Sequence, residues 1–73
     1  MTEIRLNDAD EAILRHLREG RATAAFLAQR TDWKREYLTQ RLIRLEEHGI
    51  VRNLEDVGLY ELVDDPEQRG EAP

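Results

Sequence analysis

The chain has 73 residues, with 16 Asp and Glu against 11 Lys and Arg, a net charge of −5 and no cysteine. That length holds one domain that buries only about 60% of its unfolded surface, and the missing cysteine excludes disulfides, thiolate metal sites and thiol catalysis. No apolar run approaches the ~18 residues that span a bilayer, and the opening MTEIRLND lacks the basic and apolar regions of a signal peptide, so a cytoplasmic location is expected.

Serine is absent as well, and the two histidines, His16 and His48, stand far apart in the chain. No nucleophile, triad, metal set or phosphate-cradling glycine loop is visible, so neither an enzyme nor a cofactor or small-molecule ligand is expected. Lys34 is the only lysine. Arginine in place of lysine within an acidic excess fits a protein kept hydrated in very high salt, and fits equally an acidic protein from a GC-rich genome.

Charge is segregated along the chain. Residues 1–20 carry a net −2, residues 21–52 a net +3 and residues 53–73 a net −6. A basic middle is the electrostatic footprint expected of a nucleic-acid reader.

In chain order, Asn7 or Asp8 can cap a first helix over 8–19, with acids in its first turn and an apolar stripe of Ala9, Ile13, Leu14 and Leu17 closed by Gly20. His16, without a second ligand at metal-binding spacing, reads as a surface or boundary histidine. Thr23 caps a short second helix over 24–30 with Leu27 and Ala28 toward the core, and Arg21 and Ala22 just before it can bridge to a later strand. Thr31 and Asp32 interrupt, and Trp33 is expected to pack over the turn.

The third helix, over 34–48, places Leu38, Leu42 and Leu45 on one face and polar residues on the others, and Gly49 is placed to stop it in a left-handed cap. Two β-prone runs follow, 50–54 and 59–63, separated by Glu55-Asp56-Val57-Gly58, a hairpin connection with an acidic tip. From Asp64 onward DDPEQRGEAP reads as a disordered acidic tail. The expected fold is α+β, mainly α, with a domain over 1–63: a winged helix-turn-helix of three helices and a two-stranded β-hairpin wing. Leu14, Leu17, Leu27, Leu38, Leu42, Leu45 and Leu62 should be buried together.

The order of one helix, then ATAAFLAQRTDWKREYLTQRLIRLEEHGIVRN, then LYELVD resembles the small winged-helix regulators of halophilic archaea, especially the phage phi-H repressor-like group, and more distantly the MarR-type regulators. The most telling segment is RLIRLEEHGIVRN, Arg41 to Asn53. The resemblance covers residues 8–63 and implies a cytoplasmic transcriptional regulator, as a rule a repressor. The chain departs from that pattern at Lys34, where Ser or Thr usually caps the recognition helix, so that the cap falls to Thr31, Asp32, water or a phosphate. It departs also at Phe26, where an exposed polar residue is usual, and at the acidic wing.

Placed in a major groove, such a helix reads base edges with its first turns, which nominates Arg35, Glu36, Thr39 and Gln40; Lys34, Arg41 and Arg44 are expected to meet phosphates. Tyr37 suits a core edge or a phosphate contact equally. The expected partner is double-stranded DNA, bound by a homodimer formed through the first helix, Phe26 or Ile43, with no membrane partner. The alternative is a winged-helix protein-docking module using Phe26 or the acidic wing.

Overall fold

The structure, a computed structural model, describes residues 5–55 and 57–66. Among these the elements run α1 (Asp8–Leu17), β1 (Ala22–Thr23), α2 (Ala24–Arg30), α3 (Arg35–Glu47), β2 (Val51–Leu54) and β3 (Leu59–Leu62), an α+β arrangement that is mainly helical. None of the described helices is long and apolar enough to cross a membrane. Asp56, in the expected acidic turn, and residues 67–73 of the expected tail lie outside the described residues.

Asn7 settles the start of α1. Its extended backbone lets its Oδ1 accept from the Asp10 N–H at 2.8 Å while Asp10 Oδ2 accepts from the Asn7 N–H at 3.0 Å, so two orphan donors are satisfied reciprocally. Acids in the first turn and Arg15 and His16 in the last agree with the helix dipole. Ile13 and Leu14 are buried and form the inner stripe with Ala9 and Leu17. The helix ends at Leu17, two residues short of the expected end, and a turn carries the chain to Arg21.

The expected bridge before α2 exists one residue further on, as β1, which pairs antiparallel with β3 through Ala22↔Tyr60 and Thr23↔Leu59. The sheet therefore has three strands in the order β1-β3-β2, where the sequence suggests a two-stranded hairpin. The reason is local. An N-cap residue has extended dihedrals by nature, so Thr23, whose Oγ1 accepts from the Phe26 N–H at 3.1 Å, is already strand-like where the open edge of β3 needs partners.

α2 buries Leu27, with Ala28 half-buried, and ends where the Thr31 hydroxyl donates back to the Leu27 carbonyl at 2.9 Å. Trp33 packs half-buried against the core over the turn into α3. Gly49 takes a positive φ of 75°, and the helix closes through Gly49 N–H to Glu46 O at 2.9 Å and Ile50 N–H to Leu45 O at 3.0 Å. That is the paired closure in which two last carbonyls are satisfied and the flanking apolar residues meet. Leu45 and Ile50 are both buried there.

Leu38, Leu42 and Leu45 interdigitate with Ile13, Leu14 and Leu27 to form the core, joined by Ile50, Val51 and Tyr60. Leu62, expected inside, is half-buried and packs against this core from the end of β3. Two residues of the expected tail are also placed differently. The Val63 and Asp64 N–H groups donate to the Ile50 carbonyl at 2.8 and 3.1 Å, and the Arg18 guanidinium donates to Asp65 at 3.0 Å, so the chain is tied back onto α1.

One contact reaches across the helices. Asp10 has no exposed surface, and its carboxylate receives both arms of Arg41, Nε at 2.8 Å and a terminal nitrogen at 2.6 Å, besides the Asn7 N–H. The Asp10 hydrogen bond holds the Arg41 guanidinium in its charged form even more firmly than usual, against the opposing cost of burial. Arg41→Ala is expected to lower stability by about 3 kcal/mol, because it leaves a buried carboxylate without its counter-charge. The double variant Asp10→Ala/Arg41→Met should lose clearly less. Urea unfolding of the three proteins checks the order, and equal losses for single and double variants would contradict it.

Candidate functional site

α3 divides its residues by angle. At about 100° per residue, Leu38, Leu42 and Leu45 point inward, Tyr37 and Arg41 point toward α1, and Glu36, Gln40, Ile43 and Glu47 share the side away from the core. The contacts agree with this division. Tyr37 accepts from Asn7 Nδ2 at 3.0 Å and Arg41 meets Asp10, whereas Glu36, Gln40, Ile43 and Glu47 are exposed.

The outer side of α3 forms one wall of a cleft of about 520 Å³. Arg35, Glu36, Thr39 and Gln40 line that wall, Val57 and Gly58 at the hairpin tip form the other, and Thr23 to Ala25 close the end. All four residues expected to read base edges thus stand together. Among the described residues none of the four, nor Lys34 or Arg44, makes a side-chain hydrogen bond or ion pair. Lys34 and Arg35 lie exposed at the first turn of α3, and Arg44 lies exposed further along, outside the cleft. Arg41, expected beside them as a phosphate contact, is instead committed to Asp10 with 20% of its side chain exposed.

Lys34 is the N-cap of α3 and offers no acceptor, so the first N–H groups of the helix are without a side-chain cap. The alternatives the sequence left open for that cap narrow at Thr31, whose hydroxyl donates to Leu27 and whose oxygen accepts only a long bond, 3.5 Å, from the Trp33 N–H. Charge on α3 is mixed at both ends. Lys34 and Arg35 outnumber Glu36 at the positive end, and Glu46 and Glu47 outnumber Arg44 at the negative end, a balance opposite to that of α1.

Sequence reasoning does not nominate Val57, although an aliphatic residue inside the polar turn EDVG is a legible signal. It is 70% exposed. Its N–H donates to the Leu54 carbonyl at 3.1 Å, and Gly58, at a φ of 83° that suits glycine, donates its N–H to Asn53 Oδ1 at 2.7 Å. At the root of the hairpin Glu61 accepts from Arg21 on one side, at 3.1 Å, and from Arg52 on the other. These two guanidinium groups, Arg21 first, hold the Glu61 carboxyl below its ordinary value of 4.5.

A second cleft, of about 390 Å³, lies on the far side of α2 between His16, Glu19, Phe26 and Arg30. The Arg30 guanidinium sits 4.5 Å over the ring of the exposed Phe26, a cation–π contact. Among the described residues no group of three or more His, Asp or Glu is placed to hold a metal ion. No family model matches the chain, and no curated protein or solved structure matches it.

The triad at the hairpin root predicts a pH dependence. Because the folded-state value of Glu61 is depressed, its stabilisation is present above the unfolded value and is lost as pH falls through the folded one. Denaturant midpoints should therefore separate wild type from Glu61→Gln at pH 7 and converge toward the acid end, below about pH 4. A separation that stays constant across that range would contradict the assignment.

Proposed function

We propose that this chain is a winged helix-turn-helix regulator that inserts α3 into the major groove of double-stranded DNA and reads sequence there. The observation that carries the reading is the row Arg35, Glu36, Thr39 and Gln40, four hydrogen-bonding side chains on one exposed helix wall with no partner of their own among the described residues. A helix about 10–12 Å across fills a major groove about 12 Å wide. Gln suits adenine, Arg suits guanine and Glu suits the cytosine amine.

Electrostatics supports the same approach. Residues 21–52 carry a net +3 within a chain of net −5. The cap-free N-terminus of α3 adds its positive dipole end to Lys34 and Arg35, a combination that costs helix stability and favours a phosphate. Lys34 and Arg44 are proposed as phosphate contacts. Arg41 is proposed as a positioning residue that sets α3 through Asp10. The β2–β3 hairpin acts as the wing, with Val57 facing the reading wall. One module contacts few base pairs, so a symmetric dimer on half-sites about one helical turn apart is expected, and repression by occupancy is the simplest outcome of such binding.

The second reading is a protein-docking module, favoured by Phe26, which is 41% exposed beside its own cleft. Sedimentation at low and at molar salt, with Phe26→Glu beside wild type, separates a dimer contact from a free surface. A dimer in wild type lost in the variant assigns Phe26 to self-association.

The DNA reading is tested on duplexes selected from a random pool. Gln40→Ala should cost about 1–3 kcal/mol on the selected sequence and little on random duplex, because it removes sequence readout. Arg44→Ala should weaken both alike and lower the salt slope by about one, because a phosphate contact releases a counterion whatever the sequence. Equal losses for Gln40→Ala on both duplexes, or no DNA binding by wild type at any salt, would transfer the proposal to the docking module.

A further inference from the structure

Resting on the DNA reading, we infer that Ile43 is a further specificity-determining residue and that it packs on the 5-methyl group of a thymine next to the base read by Gln40. Exposure alone does not argue this, since single aliphatic residues are common on surfaces. Position does. Glu36, Thr39 and Gln40 stand at i, i+3 and i+4 of one helical face, and the residue that completes that face at i+7 is Ile43. It is 45% exposed and takes no part in the core that Leu38, Leu42 and Leu45 fill from the opposite side.

The residue type is informative because nothing internal requires it. A β-branched side chain restricts itself in a helix, and a solvated site would be served as well by Lys, Gln or Ala. Between Gln40 on one side and Glu47 on the other, Ile43 places an aliphatic surface in an otherwise polar row. The only apolar group that base edges present in the major groove is the thymine methyl. Against the adenine, guanine or cytosine edge an isoleucine would leave donors or acceptors without partners.

The spacing fits. Three residues of helix advance about 4.5 Å along the axis, against about 3.4 Å per base step, so the contact falls one step from that of Gln40, on whichever strand faces α3. The reading face ends there, because Glu46 and Glu47, the last residues of α3, bring carboxylates where the groove edge brings phosphates.

The test removes the methyl from either side of the contact. In a duplex selected from a random pool, each invariant thymine is replaced singly by deoxyuridine, which keeps every hydrogen bond and loses the methyl. At one position wild type should lose about fourfold in affinity, the worth of one methyl taken from water. Ile43→Ala should bind the thymine duplex that much more weakly or worse, and should not distinguish thymine from deoxyuridine at that position. A cytosine-to-5-methylcytosine change at the same place should improve wild type and leave Ile43→Ala unmoved. The inference is overturned if wild type ignores every deoxyuridine, if Ile43→Ala still feels the same loss, or if Ile43→Ala instead abolishes a wild-type dimer in sedimentation. Should these fail while Gln40→Ala retains its selective loss, only the role of Ile43 falls. Should wild type bind no duplex, the DNA reading falls with it.

Discussion

The ion pair between Asp10 and Arg41 constrains more of the molecule than its size suggests, because Asp10 serves twice. Asp10 closes the first turn of α1 through the Asn7 N–H and accepts the Arg41 fork with the same carboxylate. Burying that group costs several kcal/mol, which the two-pronged contact and the capping bond offset. A lysine could supply the charge but not the planar pair of donors. One helical turn before Arg41, Tyr37 meets Asn7, so the first turn of α1 holds α3 at two successive turns of one face. With that face fixed, the leucines can only point inward, and Glu36, Thr39 and Gln40 can only line the cleft.

Much of this arrangement is legible in the residues. Leu38, Leu42 and Leu45 recur at helical spacing with Gly49 behind them, and both the helix and its left-handed stop follow from local chemistry. Thr23 likewise marks the start of α2. What stays hidden is whatever depends on a distant partner. Arg41 looks like any other cation on α3, since the carboxylate that claims it lies 31 residues away. The bridge before α2 is legible at Arg21 and Ala22, but its register at Ala22 and Thr23 is set only by the edge that β3 has to satisfy. Asp65 sits in a stretch whose composition says tail, and only its meeting with Arg18, 47 residues earlier in the chain, says otherwise. The row Arg35, Glu36, Thr39 and Gln40 is legible from the spacing of α3 alone, while the wall opposite it, Val57, depends on how the hairpin folds.

The charges on α3 show a conflict between levels. α1 obeys the dipole rule at both ends, whereas α3 mixes signs, with Lys34 and Arg35 outnumbering Glu36 at its start and Glu46 and Glu47 outnumbering Arg44 at its end. With Arg41 neutralised by Asp10, the exposed cations Lys34, Arg35 and Arg44 are matched in number by Glu36, Glu46 and Glu47. Such a helix is not attracted to a polyanion along its whole length. It is attracted at its beginning and repelled at its end, which favours approach with the first turns leading. Local rules broken without an internal gain are expected where a surface serves something outside the fold.

The sheet order β1-β3-β2 also has a consequence for how the chain is made. During synthesis the Asp10 and Arg41 pair can close as soon as α3 has emerged, since both partners and all the helical leucines precede Gly49. β1, by contrast, waits for Tyr60, and Arg18 waits for Asp65. The helices therefore depend on partners within the first 49 residues and the sheet does not, and the central strand joins two edges that have no bond to each other. Closing so long a loop is entropically costly and slow, so the second wall of the cleft, carried by the hairpin, is fixed to the helices by the slower of the two sets of contacts.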